Sequence, residues 1–89
     1  MTKYIELRPY LYANADEVKS VNVMRMRGET TIHIDFKDGQ NYPFCSIETE
    51  SNDLMNFALE VFINLLTDSV HPVITKALFA EYFTDVEIY

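Results

Sequence analysis

Ser51-Asn52-Asp53-Leu54-Met55-Asn56-Phe57-Ala58-Leu59-Glu60-Val61-Phe62-Ile63-Asn64-Leu65-Leu66-Thr67-Asp68 is the stretch on which the fold turns. Between Leu54 and Leu66 only Asn56, Glu60 and Asn64 are polar. Their four-residue spacing, at about 100° per residue, stacks them on one side of an α-helix. Asp53, Thr67 and Asp68 fall in the same sector, which spans roughly 120°. The other two-thirds of the helix surface, about 240°, is apolar. That is wider than the stripe of an ordinary surface helix. Such a helix requires cover from more than one direction, by its own fold or by a second chain. Ser51 or Asn52 suits the N-cap, and Asp53 places negative charge in the first turn, where the helix dipole favours it. A helix over about 52–68 is the expectation.

Downstream, Ser69-Val70-His71-Pro72 breaks the pattern, and Pro72 suits the first turn of a second helix over about 72–84. The tail Asp85-Val86-Glu87-Ile88-Tyr89 alternates, as a short strand would. Upstream, the chain reads as β-structure. Thr30, Ile32, Ile34 and Phe36 alternate cleanly with Thr31, His33 and Asp35. Gly28-Glu29 and Asp38-Gly39 are turn signals on either side of that strand. Val18 to Arg27 forms a strand before it, with a parity change between Val23 and Met24 that suggests a bulge. Tyr42 and Phe44 mark a strand after it, and Pro43 marks that strand as an edge. Residues 19–46 thus form a three-stranded antiparallel meander. Tyr4 to Leu11 alternates as one further strand, although Pro9 cannot donate to a ladder. The fold class is α+β: a three- or four-stranded antiparallel meander (about 4–46), then two helices packed on one face. At 89 residues the chain reads as a single domain.

The net charge of -7 is unevenly placed. Residues 1–45 carry six basic and six acidic groups, whereas residues 46–89 carry eight acidic groups against Lys76 alone. That field opposes phosphates and lipid headgroups and favours basic partners. Direct nucleic-acid binding is therefore not expected, even with Arg25 and Arg27 sharing a strand face near several tyrosines. The charged N-terminal residues do not read as a secretory signal, no apolar run reaches membrane-spanning length, and Cys45 is the lone cysteine. A soluble, cytoplasmic protein is the expectation.

Catalytic patterns are missing. Both glycines belong to turns, so no phosphate cradle is visible. His33, Cys45 and His71 have no metal-ligand spacing, so no metal and no cofactor are expected. Cys45 reads as a strand-end hydrophobe, not a nucleophile. His33 reads as solvent-facing, and His71 as helping to close the break between helices. The carboxylate pairs lie on polar linkers and helix ends, where nothing would shift their pKa.

The expected function is non-enzymatic protein binding, with self-association as a homodimer through residues 54–66. Phe57, Leu59, Val61, Phe62, Ile63 and Leu66 are the candidate interface, because a two-fold partner presenting the same helix would cover them. Tyr4, Tyr10, Tyr12 and Tyr89 are also of the type that interfaces use. The alternative is an acidic inhibitor that lays Glu48, Glu50, Asp53, Glu60 and Asp68 against a basic site of a nucleic-acid-processing protein. In size, acidity and meander-plus-helix layout the chain is similar to some small phage-encoded anti-CRISPR and anti-restriction proteins. That resemblance is to a class of proteins, includes no shared motif and transfers no functional residue.

Overall fold

The computed structural model describes residues 2–89. In chain order the elements are β1 (Tyr4–Arg8), β2 (Leu11–Asn14), a 3-10 turn (Ala15–Glu17), β3 (Val18–Met26), β4 (Glu29–Phe36), β5 (Asn41–Glu48), α1 (Asn52–Thr67), β6 (Val73–Ile74) and α2 (Lys76–Ala80). The fold is α+β, with the antiparallel meander β3-β4-β5 followed by the helices.

The meander follows from local chemistry. Arg27 and Gly28 both hold positive φ, 51° and 77°, between the paired residues Met26 and Glu29. That is the backbone of a type I′ hairpin turn, whose twist matches the flanking strands. The turn is therefore centred one residue earlier than Gly28-Glu29. On β4, Thr30, Ile32, Ile34 and Phe36 are buried, and Thr31, His33 and Asp35 face the other way. Opposite them on β3 lie Val23 against Ile32, and Val21 against Ile34.

Two bulges adjust the flanking strands to that buried face. Lys19 is the extra residue between the pairs Val18–Phe36 and Ser20–Asp35. The bulge keeps Val18 on the core side despite its even number. It replaces the parity change expected at Val23 and Met24; both methionines of this strand simply lie on the open face. Phe44 is the extra residue between the pairs Ile32–Cys45 and His33–Pro43. This bulge lets two consecutive residues, Phe44 and Cys45, enter the core together.

The N-terminal segment departs from expectation. Tyr4 to Leu11 is not one strand added to the meander; it reverses at Pro9-Tyr10 and pairs with β2. Pro9 presets the first corner of the turn, and Tyr10 at φ 68° occupies the left-handed second corner, as in a type II turn. β1 also pairs in parallel with β6, giving a second sheet in the order β2-β1-β6. Within the expected second helix, Val73 and Ile74 are therefore strand, and α2 spans only Lys76–Ala80. Thr75 caps it, its Oγ1 accepting from the amide of Leu78. The tail is tied to β5 through an Ile47–Ile88 bridge.

α1 is capped by Ser51, whose Oγ accepts from the amide of Leu54 at 3.2 Å. Its buried residues, Ala58, Val61, Phe62 and Leu65, follow the i, i+3, i+4, i+7 spacing. They complete a core with Ile5, Ile32, Ile34, Phe44, Ile47, Ile74 and Phe79. One core atom is poorly served: Thr30 is 0% exposed and its Oγ1 has no hydrogen-bond partner. Valine replaces that hydroxyl with a methyl of similar volume. Thr30→Val is expected to raise stability by about 1 kcal/mol in urea titration, whereas a fall would mean that the hydroxyl is satisfied.

Candidate functional site

The polar wedge on α1 is where the periodicity places it, with Asn56, Glu60 and Asn64 exposed. The apolar two-thirds is largely covered within the chain. Val61 and Phe62 lie in the core and are unavailable to a partner, while Leu59 and Leu66 are half-buried. Only Phe57 and Ile63 remain open, each 43% exposed. Phe57 stacks edge-on against Phe83 at 5.4 Å between centroids, so the segment after α2 covers its flank. In helical projection Phe57 and Ile63 sit on opposite sides of the polar wedge. The six candidate interface residues thus do not form one continuous patch.

The acidic candidates are likewise dispersed in role. Glu48 accepts a hydrogen bond from the Tyr89 hydroxyl at 2.9 Å, and a Cβ added at Gly28 would stand 3.3 Å from Glu50 Oε1. Asp53 and Glu60 are exposed on the outer side of α1. Asp68 is committed internally, to Lys3 Nζ at 2.7 Å and His71 Nδ1 at 2.7 Å. Lys3 above all, then His71, holds its carboxyl well below the usual carboxylate range. His71 therefore does brace the segment after α1, through Asp68.

A groove lies elsewhere, between the β1–β2 hairpin and the meander. Two adjoining hollows of about 260 and 450 Å³ share Leu7, Leu11 and Tyr42. Leu7 is the bulged residue of β1, lying between the pairs Glu6–Tyr12 and Arg8–Leu11. Phe36 meets Tyr42 edge-on at 5.7 Å and helps to floor the groove. Glu17 and Asp38 line one end, and Arg8 and Pro43 the other. At the hairpin tip Tyr10 is 98% exposed. Tyr12 and Tyr4 are also exposed, and the Tyr12 hydroxyl donates to Glu6 at 3.0 Å. That donated bond, reinforced by the carboxylate charge, raises the Tyr12 pKa.

This groove was not legible from the sequence. Its one signal was Pro9, which interrupts the alternation of residues 4–11 and marks the reversal that brings Leu7 and Leu11 together.

The open face of the meander carries a polar network. Asp35 accepts from Asn41, Ser20 and Asn22, and these donors lower its pKa, Asn41 most. His33 Nδ1 lies 2.8 Å from Asn41 Oδ1. Met24 and Met26 are exposed beside it. Cys45 sits in the core, where burial pushes its thiol up to about 12, so it is protonated at neutral pH. Among the described residues no three His, Cys, Asp or Glu side chains group as metal ligands would. Among the same residues no helix is long and apolar enough to cross a membrane. No family model, curated protein or solved structure matches the chain.

Proposed function

We propose that this chain is a small acidic, non-catalytic protein-binding domain that engages a partner through the β1–β2 hairpin and the groove beside it. The observation that carries this reading is Tyr10. A tyrosine in the left-handed region costs on the order of 1 kcal/mol relative to glycine, yet here the ring is 98% exposed and packs on nothing. Its conformation is unfavourable and its side chain contributes no burial in return. Tyrosine is among the residues that dominate binding surfaces, and Tyr10 stands next to an apolar hollow rimmed by polar groups.

Tyr10→Gly separates the two sides of the argument. The variant is expected to gain about 0.5–1 kcal/mol in urea titration as backbone strain is relieved. Peptides selected from a random library against the wild-type chain are expected to bind it about tenfold more weakly. Selected peptides indifferent to both Tyr10→Gly and Leu7→Asp would remove the hairpin from the binding surface.

Self-association through residues 54–66 is the second reading, favoured by the exposure of Phe57 and Ile63. Light scattering across concentration tests it: a dimer that Ile63→Asp dissociates supports this reading, and a monomer throughout ends it.

A further inference from the structure

We infer that the groove takes an extended partner segment carrying an arginine, the aliphatic stem lying on Leu7, Leu11 and Tyr42 and the guanidinium meeting Glu17 and Asp38. This rests on the hairpin-and-groove reading and adds to it the chemistry of the occupant. Three features point the same way. The floor shared by the two hollows is apolar and aromatic, suited to a long methylene stem or to the flat face of a guanidinium. At the Glu17 and Asp38 end the polar lining among the described residues is Asn14, Glu17, Asp38 and Gln40, with Tyr12, and it includes no cation. Among the described residues the only cation lining either hollow is Arg8, at the opposite end.

The groove is therefore polarised along its length. A guanidinium is repelled from one end and drawn to the other, which gives an extended segment a preferred direction as well as a preferred residue. Both carboxylates are exposed, so neither needs desolvation to be available. Asp38 Oδ1 accepts from the amide of Gln40 at 2.9 Å, which stations the carboxylate on the rim. Arginine is favoured over lysine because its planar head can stack on Tyr42 while bonding a carboxylate in the plane. These rim carboxylates are separate from the acidic residues of the C-terminal half, among which Asp68, beside the hollow lined by Phe57, Val61 and Leu65, is already paired with Lys3 and His71.

The test is an NMR titration of the full chain with three peptides: acetyl-Ala-Leu-Arg-Leu-Ala-amide and its counterparts with Gln or Glu in place of Arg. The arginine peptide is expected to shift the amides of Leu11, Ala13, Gln40 and Tyr42, and to bind about fivefold more tightly than the glutamine peptide. That advantage is expected to vanish in the double variant Glu17→Gln, Asp38→Asn, and to shrink as salt is raised. Asparagine keeps the oxygen that accepts from Gln40, so the turn survives and thermal unfolding of the variant should match wild type. Equal groove binding by the arginine and glutamine peptides would overturn the charge assignment while leaving the groove as a binding surface. Shifts confined to the neighbourhoods of Glu48, Glu60 and Glu87 would overturn it as general charge attraction. Silence of the groove toward all three peptides would overturn both this assignment and the reading beneath it.

Discussion

Truncation of Phe62 to alanine is expected to lower unfolding stability by about 3–5 kcal/mol, the range for emptying a buried aromatic site. Phe62 is fully buried and joins three elements through ring contacts. Its centroid lies 4.8 Å from that of Phe44 on β5 and 6.3 Å from that of Phe79 on α2, and Phe44 and Phe79 meet edge-on at 5.7 Å. Phe44 and Phe79 can move into the space only by giving up their own edge-on contact, so a cavity term adds to the lost burial. A domain of this length has on the order of 5–10 kcal/mol in total, so the variant will lie close to its unfolding threshold. Phe62→Leu, which retains most of the volume, is the companion and should cost less, about 1–2 kcal/mol. Urea titration at two protein concentrations measures both. A loss below about 1 kcal/mol for the alanine variant, or a loss that depends on concentration, would return Phe62 from the core to an interface.

The second large effect is expected at Lys3. The residue is buried, 9% exposed, with its side chain at the C-terminal end of α1. Nζ donates to the carbonyl of Leu65, to the carbonyl of Asp68 at 2.8 Å and to the carboxylate of Asp68 at 2.7 Å. All three ammonium protons are thereby used. The last turn of α1 contains no basic residue of its own, so the charge its dipole favours comes from the residue that precedes β1. Lys3→Met keeps the stem and leaves two helix-end carbonyls without this donor. A loss of about 2–4 kcal/mol is expected. The stability gap between wild type and Lys3→Met should also depend on pH. Asp68 titrates below its unfolded value in the folded state. Its contribution is therefore complete above the unfolded carboxylate pKa of about 4 and is lost as pH falls through the folded one. The gap should be constant near neutrality and narrow in acid. A gap that widened in acid would contradict the Lys3–Asp68 pairing.

Much of the meander was readable because its determinants are local. β4 alternates with a period of two, and Gly28 and Gly39 supply the positive φ that their turns need. Ser51 begins α1 where the periodicity begins. The bulges were harder to place. At Lys19 and Phe44 the ladder gains a residue on one strand only, and the cue is which neighbours a side chain meets across the sheet. The candidate interface on α1 failed to form one patch for a related reason. An apolar face wide enough to need two covers looks the same whether the second cover is Phe79 and Phe83 of this chain or a helix of another.

The sequence by itself determined the strand–turn–strand rhythm of residues 18–48 and the capped, broadly apolar helix after it, because side-chain periodicity and turn chemistry act over a few residues. Only the tertiary structure decided that residues 4–14 fold back on themselves, that Val73 and Ile74 pair with β1, that Lys3 closes a helix end some sixty residues away, and that Leu7, Leu11 and Tyr42 line one groove. Each of those depends on contacts between distant segments, and their stability comes from surfaces that exist only after the chain has packed.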